Sequence, residues 1–135
     1  MTSIFISSDK GFDSYGTLCK VMDIVLHQMP SGRKVNLLTG SENAIWKLLT
    51  SYAMNHSLSI EGHSAHATQF GTDAKRIRDK ALIDTCNLVV AFWNHHDTDL
   101  KIVLEMAVFA DKPVVVCYYN TQQILTPLEF WPEVL

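Results

Sequence analysis

"LLTGSEN", residues 37–43, leaves an apolar strand-like run through a Thr-Gly-Ser turn and enters a helical pattern directly. A strand-turn-helix junction with glycine at its apex is how α/β folds offer backbone N–H groups to an anion, since the first turn of a helix has donors without intrahelical partners. Glu42 and Asn43 stand where a phosphate cradle would carry small or basic residues. Two readings follow. Gly40 permits a tight turn, with Thr39 and Ser41 capping the helix and presenting N–H groups to a ligand. Alternatively the junction is a plain helix start, with the Glu42 carboxylate satisfying the helix dipole itself.

Outward from this junction the chain alternates in period. "SIFIS" (3–7), "KVNLL" (34–38), the weaker "LSIEG" (58–62), "NLVVAFW" (87–93) and "PVVVCYY" (113–119) are short runs rich in β-branched and aromatic residues, the pattern of strands buried on both faces. Between them the spacing becomes helical. Leu18, Val21, Met22, Val25 and Met29 form one inward stripe, and Ala44, Leu48, Leu49, Tyr52 and His56 a second. A third helix, capped by Asp73, is expected to turn Ile77, Ala81 and Leu82 inward while Lys75, Arg76, Arg78 and Lys80 decorate it; a fourth carries Ile102, Met106 and Phe109. Strands alternating with helices, and no Asn-Gly-type hairpin signal, predict an α/β class domain, a single Rossmann-like unit with a five-stranded, mostly parallel sheet in the order 3-2-1-4-5 and helices on both faces. Residues 1–120 are read as this domain and 121–135, with Phe130 and Trp131, as a tail packing on it or on a neighbouring subunit.

Composition bounds the function. With 135 residues, 47% hydrophobic and 19% charged, the chain has the size and make-up of one well-packed domain. A formal charge of −3 excludes the broad basic footprint of a general nucleic-acid binder. No leader pattern or membrane-length apolar run is present, and Cys19, Cys86 and Cys117 share no metal-type spacing, so a soluble cytoplasmic protein with reduced thiols is expected.

In that topology the ligand crevice lies at the carboxyl ends of strands 1 and 4. Ser7, Ser8 and Lys10 offer hydroxyls, N–H groups and one cation there, a set suited to phosphate or ribose but equally to an ordinary polar turn. Trp46 and Trp93 stand near the crevice, either to stack on a base or to fill the core. The "WNHHDTD" loop has the ligand types for metal in His95, His96, Asp97 and Asp99, and His63 and His66 fall at the same end. The spacing of a zinc site is absent, and so is GxSxG. No cofactor and no metal are expected.

These stretches resemble the SLOG superfamily of Rossmann-like nucleotide binders, relatives of the cytokinin-activating phosphoribohydrolases and of the DNA-uptake protein DprA. The nearest resemblance is to the small stand-alone YspA-like branch of bacteria and phages. It covers about Ile4 to Cys117. "SDKGFDSY" is similar to that branch's G-S-R-x-F with a nearby Asp-Tyr; "TGSENAIW", followed by Tyr52 and Ala53, to S-G-G-A-R-G-A-D and a Tyr-Ala pair; "RIRD" to P-I-R-N; and "LVVAFWN" to A-L-I-A-F-W-D-G. Ser8, Lys10, Ser41, Asn43 and Trp46 replace family glycine, arginine, glycine, arginine and acidic residues, and Asp99 and Leu100 stand at a Gly-Thr pair. The hydrolytic P-G-G-x-G-T-x-x-E motif of the phosphoribohydrolases is missing, although Glu105 falls in the corresponding helix.

The resemblance implies a protein, of phage origin in one form, that binds a nucleotide or nucleotide-derived small molecule in the cytoplasm, the host's in that case, by sensing or sequestration. The ligand-binding set would be Ser8, Lys10, Thr39, Gly40, Ser41, Glu42, Arg78, Trp93 and Asn94. It also implies a homo-oligomer, a dimer or tetramer. Two rivals stand beside it: a nucleotide N-glycosidic hydrolase using Glu42 or Glu105 to stabilise oxocarbenium-like charge, and a degenerate scaffold binding a protein partner.

Overall fold

The structure, a computed structural model, describes residues 2–29, 32, 34–65, 71–121 and 123–125. Its elements alternate as the periodicity requires: β1 (Thr2–Ser8), α1 (Tyr15–His27), β2 (Val35–Gly40), α2 (Trp46–Asn55), β3 (Ser59–His63), a 3-10 turn (Gly71–Asp73), α3 (Ala74–Thr85), β4 (Leu88–Trp93), α4 (Thr98–Phe109), β5 (Val114–Tyr118) and β6 (Gln123–Leu125). The sheet order is β3-β2-β1-β4-β5-β6, with the first five strands parallel. The expected Rossmann-like arrangement in the order 3-2-1-4-5 is therefore present.

A sixth strand extends it. β6 pairs antiparallel with β5, Val116 opposite Leu125, after a turn in which the Thr121 N–H donates to the Tyr118 carbonyl at 3.1 Å. The polar "TQQ" hides this strand from a reading by hydrophobic period. The sheet thus runs past residue 120, and the rest of the expected tail, Phe130 and Trp131 included, lies outside the described residues. Among those described, no helix is long and apolar enough to cross a membrane.

Strand alternation sends successive side chains to opposite faces and builds two cores. Ile4, Ile6, Leu37, Val90, Phe92 and Cys117 meet α1 and α2 through Leu18, Met22, Leu49 and Tyr52. Phe5, Leu38, Val89, Ala91, Trp93 and Val116 meet α3 and α4 through Leu82, Ile83, Val103, Leu104 and Ala107. The Ser14 hydroxyl starts α1 by accepting the Thr17 N–H at 3.2 Å.

Three helices present faces other than the expected ones. α2 and its lead-in bury Ile45, Leu49, Tyr52 and Ala53: Leu49 and Tyr52 point inward as expected and Leu48 is half-buried, while Ala44 and His56 are exposed and Ile45 and Ala53 complete the stripe. α4 is apolar nearly all round, so Ile102, Met106 and Phe109 are as periodic as the true stripe, Leu100, Val103, Leu104, Ala107 and Val108. The five-residue stripe takes the sheet and leaves Phe109 82% exposed. In α3, Asp73 occupies the N-cap position but makes no side-chain capping bond. Its inward stripe is Ala74, Arg78 and Leu82, with Ile77 and Ala81 outside. A count of apolar residues cannot find that stripe, because one member is an arginine.

Candidate functional site

At the carboxyl ends of the strands, between the β1 and β2 loops and the first turns of α3 and α4, lies a cleft of about 410 Å3. That volume falls in the range of small-molecule sites, and the place is the switch point of the topology. Its walls differ. Ser7, Ser8 and Lys10 form one polar side; Leu100, Ile102, Val103 and Met106 of α4 form an apolar side; Glu42, Arg78 and Asp79 lie between them and α3.

Arg78 organises the floor. Only 7% exposed, it donates from Nη1 to Glu42 Oε1 at 2.5 Å and to the His63 carbonyl at 2.9 Å, and from Nε to Asp79 Oδ1 at 2.7 Å. A buried guanidinium needs such partners, since an unpaired charge in the interior costs several kcal/mol. Burial pushes the Asp79 carboxyl above the usual aspartate range, against the opposing pull of Arg78.

The same guanidinium accounts for Gly40. Gly40 ends β2 without left-handed φ, but a Cβ on it would sit 2.6 Å from Arg78 Cζ and 2.8 Å from Nη2. The chain does turn tightly from Gly40, but with ordinary φ there, so the glycine at the "LLTGSEN" apex serves the space Arg78 occupies. The Ser41 N–H is taken by the His63 carbonyl and the Asn43 N–H by the Gly40 carbonyl. Thr39 is fully buried, with no partner for its hydroxyl in the described residues.

Asp9 is the second organising group, and sequence reasoning gave it no role. At 3% exposure its Oδ1 accepts the Gly11 N–H at 3.1 Å and the Tyr119 hydroxyl at 2.6 Å, and its Oδ2 accepts the Asn94 N–H at 2.6 Å. One carboxylate therefore joins the loops that follow β1, β4 and β5. Burial, reinforced by the Asp9 bond, raises the Tyr119 hydroxyl above the ordinary tyrosine range. The available signal was "DKG": aspartate two residues before glycine is the pattern of an Asx turn.

The β4 loop is held for structure. Asn94 Oδ1 accepts the N–H groups of His96 (2.7 Å) and Asp97 (2.9 Å), Asp97 Oδ1 caps α4 by accepting the Leu100 N–H at 2.9 Å, and Trp93, 2% exposed, donates its indole N–H to the Asp97 carbonyl at 3.0 Å. The His95 ring stacks on Tyr118 with centroids 4.7 Å apart. Among the described residues no group of three or more His, Cys, Asp or Glu side chains is placed to hold a metal, and His66 lies outside them. Trp46 packs against Gly62 of the edge strand β3, where a Cβ would lie 2.8 Å from its ring.

Of the sequence-derived set, Ser8, Lys10, Glu42 and Arg78 line the cleft. Thr39, Gly40, Ser41, Trp93 and Asn94 do not, nor does Glu105. Lys75, Arg76, Asp73 and Asp99 line it as well, at the starts of α3 and α4. Comparison with family models, with curated proteins and with solved structures finds no match for this chain.

Proposed function

We propose that the chain binds a nucleotide-derived small molecule in this cleft and acts by recognition, as a sensor or a sequestering protein, without turning its ligand over. The carrying observation is that four of the six carboxylates lining the cleft are already committed, while Asp73 and Asp99 stand exposed at its rim. Glu42 and Asp79 serve Arg78, Asp9 serves three loop donors, and Asp97 caps a helix. A hydrolase of N-glycosidic bonds needs a carboxylate free to meet developing charge at the sugar, and Glu105, the other candidate, does not line the cleft. The two unlike walls suit a molecule with a flat apolar ring and a hydroxylated end.

We take the chain as SLOG-like, which the sheet order and the resemblance of its motifs support, and as cytoplasmic, which that resemblance implies. We also take it as a homo-oligomer, a dimer or tetramer. Phe109 at 82% and Met54 at 77% exposure, on helices covering opposite faces of the sheet, support subunit contacts.

A thermal-shift screen with nucleosides and nucleotides tests this. A ligand at a hundredfold excess over Kd stabilises the folded state by ~2.7 kcal/mol, an upward shift of several degrees for a domain of this size. Chromatography after prolonged incubation should return the stabilising compound intact. Release of free base, abolished by Glu42→Gln, would establish the hydrolase.

A further inference from the structure

The charges lining the cleft set a condition on its ligand. Four cations, Lys10, Lys75, Arg76 and Arg78, face six carboxylates, Asp9, Glu42, Asp73, Asp79, Asp97 and Asp99. Among the described residues the excess is acidic, by two charges.

Its distribution sharpens the point. Among the described residues the cation at the inner floor is Arg78, already engaged by Glu42 and Asp79, while the buried Asp9 carboxylate accepts from the neutral donors Gly11 N–H, Asn94 N–H and Tyr119 hydroxyl. Fields from buried charges are screened least, so this floor repels an anion most strongly where a ligand would sit deepest. Burial favours protonation of Asp79, and with that group neutral one carboxylate still remains in excess over Arg78 and the rim cations. At the rim, Lys10, Lys75 and Arg76 are exposed and balanced by Asp73, Asp97 and Asp99.

The helix starts that commonly hold phosphate are occupied by the chain's own acids. The Asp97 carboxylate accepts the Leu100 N–H at the start of α4 and Asp99 follows in its first turn. Asp73 stands at the start of α3. Each places a negative charge where the helix dipole would otherwise favour a phosphate oxygen.

We propose that the cleft takes an uncharged or cationic nucleoside-like molecule and discriminates against its phosphorylated forms. The inference rests on the functional reading above and names the ligand class for the same cleft. The apolar side chains of Ile102, Val103 and Met106 provide the surface for the ring, and Ser7 and Ser8 provide polar groups for the sugar. Asp73 and Asp99 act as the excluding charges.

The experiment is a calorimetric titration of the full chain with adenosine, guanosine, cytidine and uridine and with the 5′-mono- and triphosphate of each. The expected result is at least one nucleoside that binds tenfold or more tighter than its own triphosphate, with an affinity that changes little between low and moderate salt. Asp73→Asn and Asp99→Asn, both at exposed positions, should narrow the gap between that nucleoside and its monophosphate several-fold. A triphosphate that binds more tightly than its nucleoside, or a preference unmoved by both variants, overturns the inference and leaves the functional reading standing. Binding by none of the twelve compounds overturns the reading and the inference with it.

Discussion

Alanine at position 40 would place a methyl group 2.6 Å from Arg78 Cζ, well inside van der Waals contact. Gly40 is not in the left-handed region, so the backbone accepts alanine and the whole penalty is steric. Either the guanidinium shifts, at the ~1–3 kcal/mol typical of overpacking, or it is expelled and leaves the buried Asp79 without its partner, a loss of ~3–5 kcal/mol for a broken buried pair, with Glu42, whose side chain is 35% exposed, adding little. A cost of about 3 kcal/mol is expected for Gly40→Ala. Arg78→Ala should cost ~3–5 kcal/mol by the same argument. In the Arg78→Ala background the space is empty, and Gly40→Ala should be neutral or stabilise by ~0.4–1 kcal/mol through the unfolded chain. Urea denaturation of the four proteins, followed by far-UV circular dichroism, closes the cycle. The double variant should be more stable than the summed single costs imply by about 2 kcal/mol or more, in the range of contacting residues. Additivity within ~0.5 kcal/mol would refute the assignment of Gly40 to Arg78.

Burial, with the carboxylates of Asp23 and Asp9 as second causes, holds the Tyr52 and Tyr119 hydroxyls above their ordinary value of 10.0 in the folded state. Their contribution to stability is thus complete below pH 10 and lost as pH rises through the raised folded values. Urea midpoints should fall between pH 9 and pH 12, and Tyr52→Phe or Tyr119→Phe should flatten that fall. Asp97→Ala removes the side chain that caps α4 and should lower stability by ~1 kcal/mol, read by the same denaturation assay; no loss would contradict the cap. Burial raises Cys117 to about 11 and Cys86 above the ordinary thiol value, whereas Cys19 is half-buried. A disulfide exchange reagent should therefore label Cys19 alone in the native protein and all three thiols in urea, as mass spectrometry of the products would show.

The sheet was legible because its strands are short runs of Val, Ile, Leu and Phe set between longer helical stretches, and right-handed crossovers leave few orders for such strands. The location of the crevice followed from that order. What the sequence concealed were positions where a polar residue does the work of packing. Arg78 belongs to the inward stripe of α3 only because Glu42, 36 residues earlier in the chain, and Asp79 neutralise it there, and no local pattern reveals a partner so distant. Asp9 binds a loop 85 residues away through the Asn94 N–H. Trp93 and Asn94 drew attention as ring and amide groups beside a crevice, yet both are consumed in shaping the turn into α4. In α4 the apolar residues run nearly all round the helix, so composition left its orientation open and contact with β4 and β5 decided it.

The most direct test of the account is a backbone amide NMR titration of isotopically labelled protein with the four nucleosides. The account predicts saturable shifts confined to the β1 loop around Ser8 and Lys10, the turn at Glu42 and the first turns of α3 and α4, with the nucleoside unaltered at the end of the titration. Saturable shifts centred elsewhere on the domain, or none with any of the four, would contradict it.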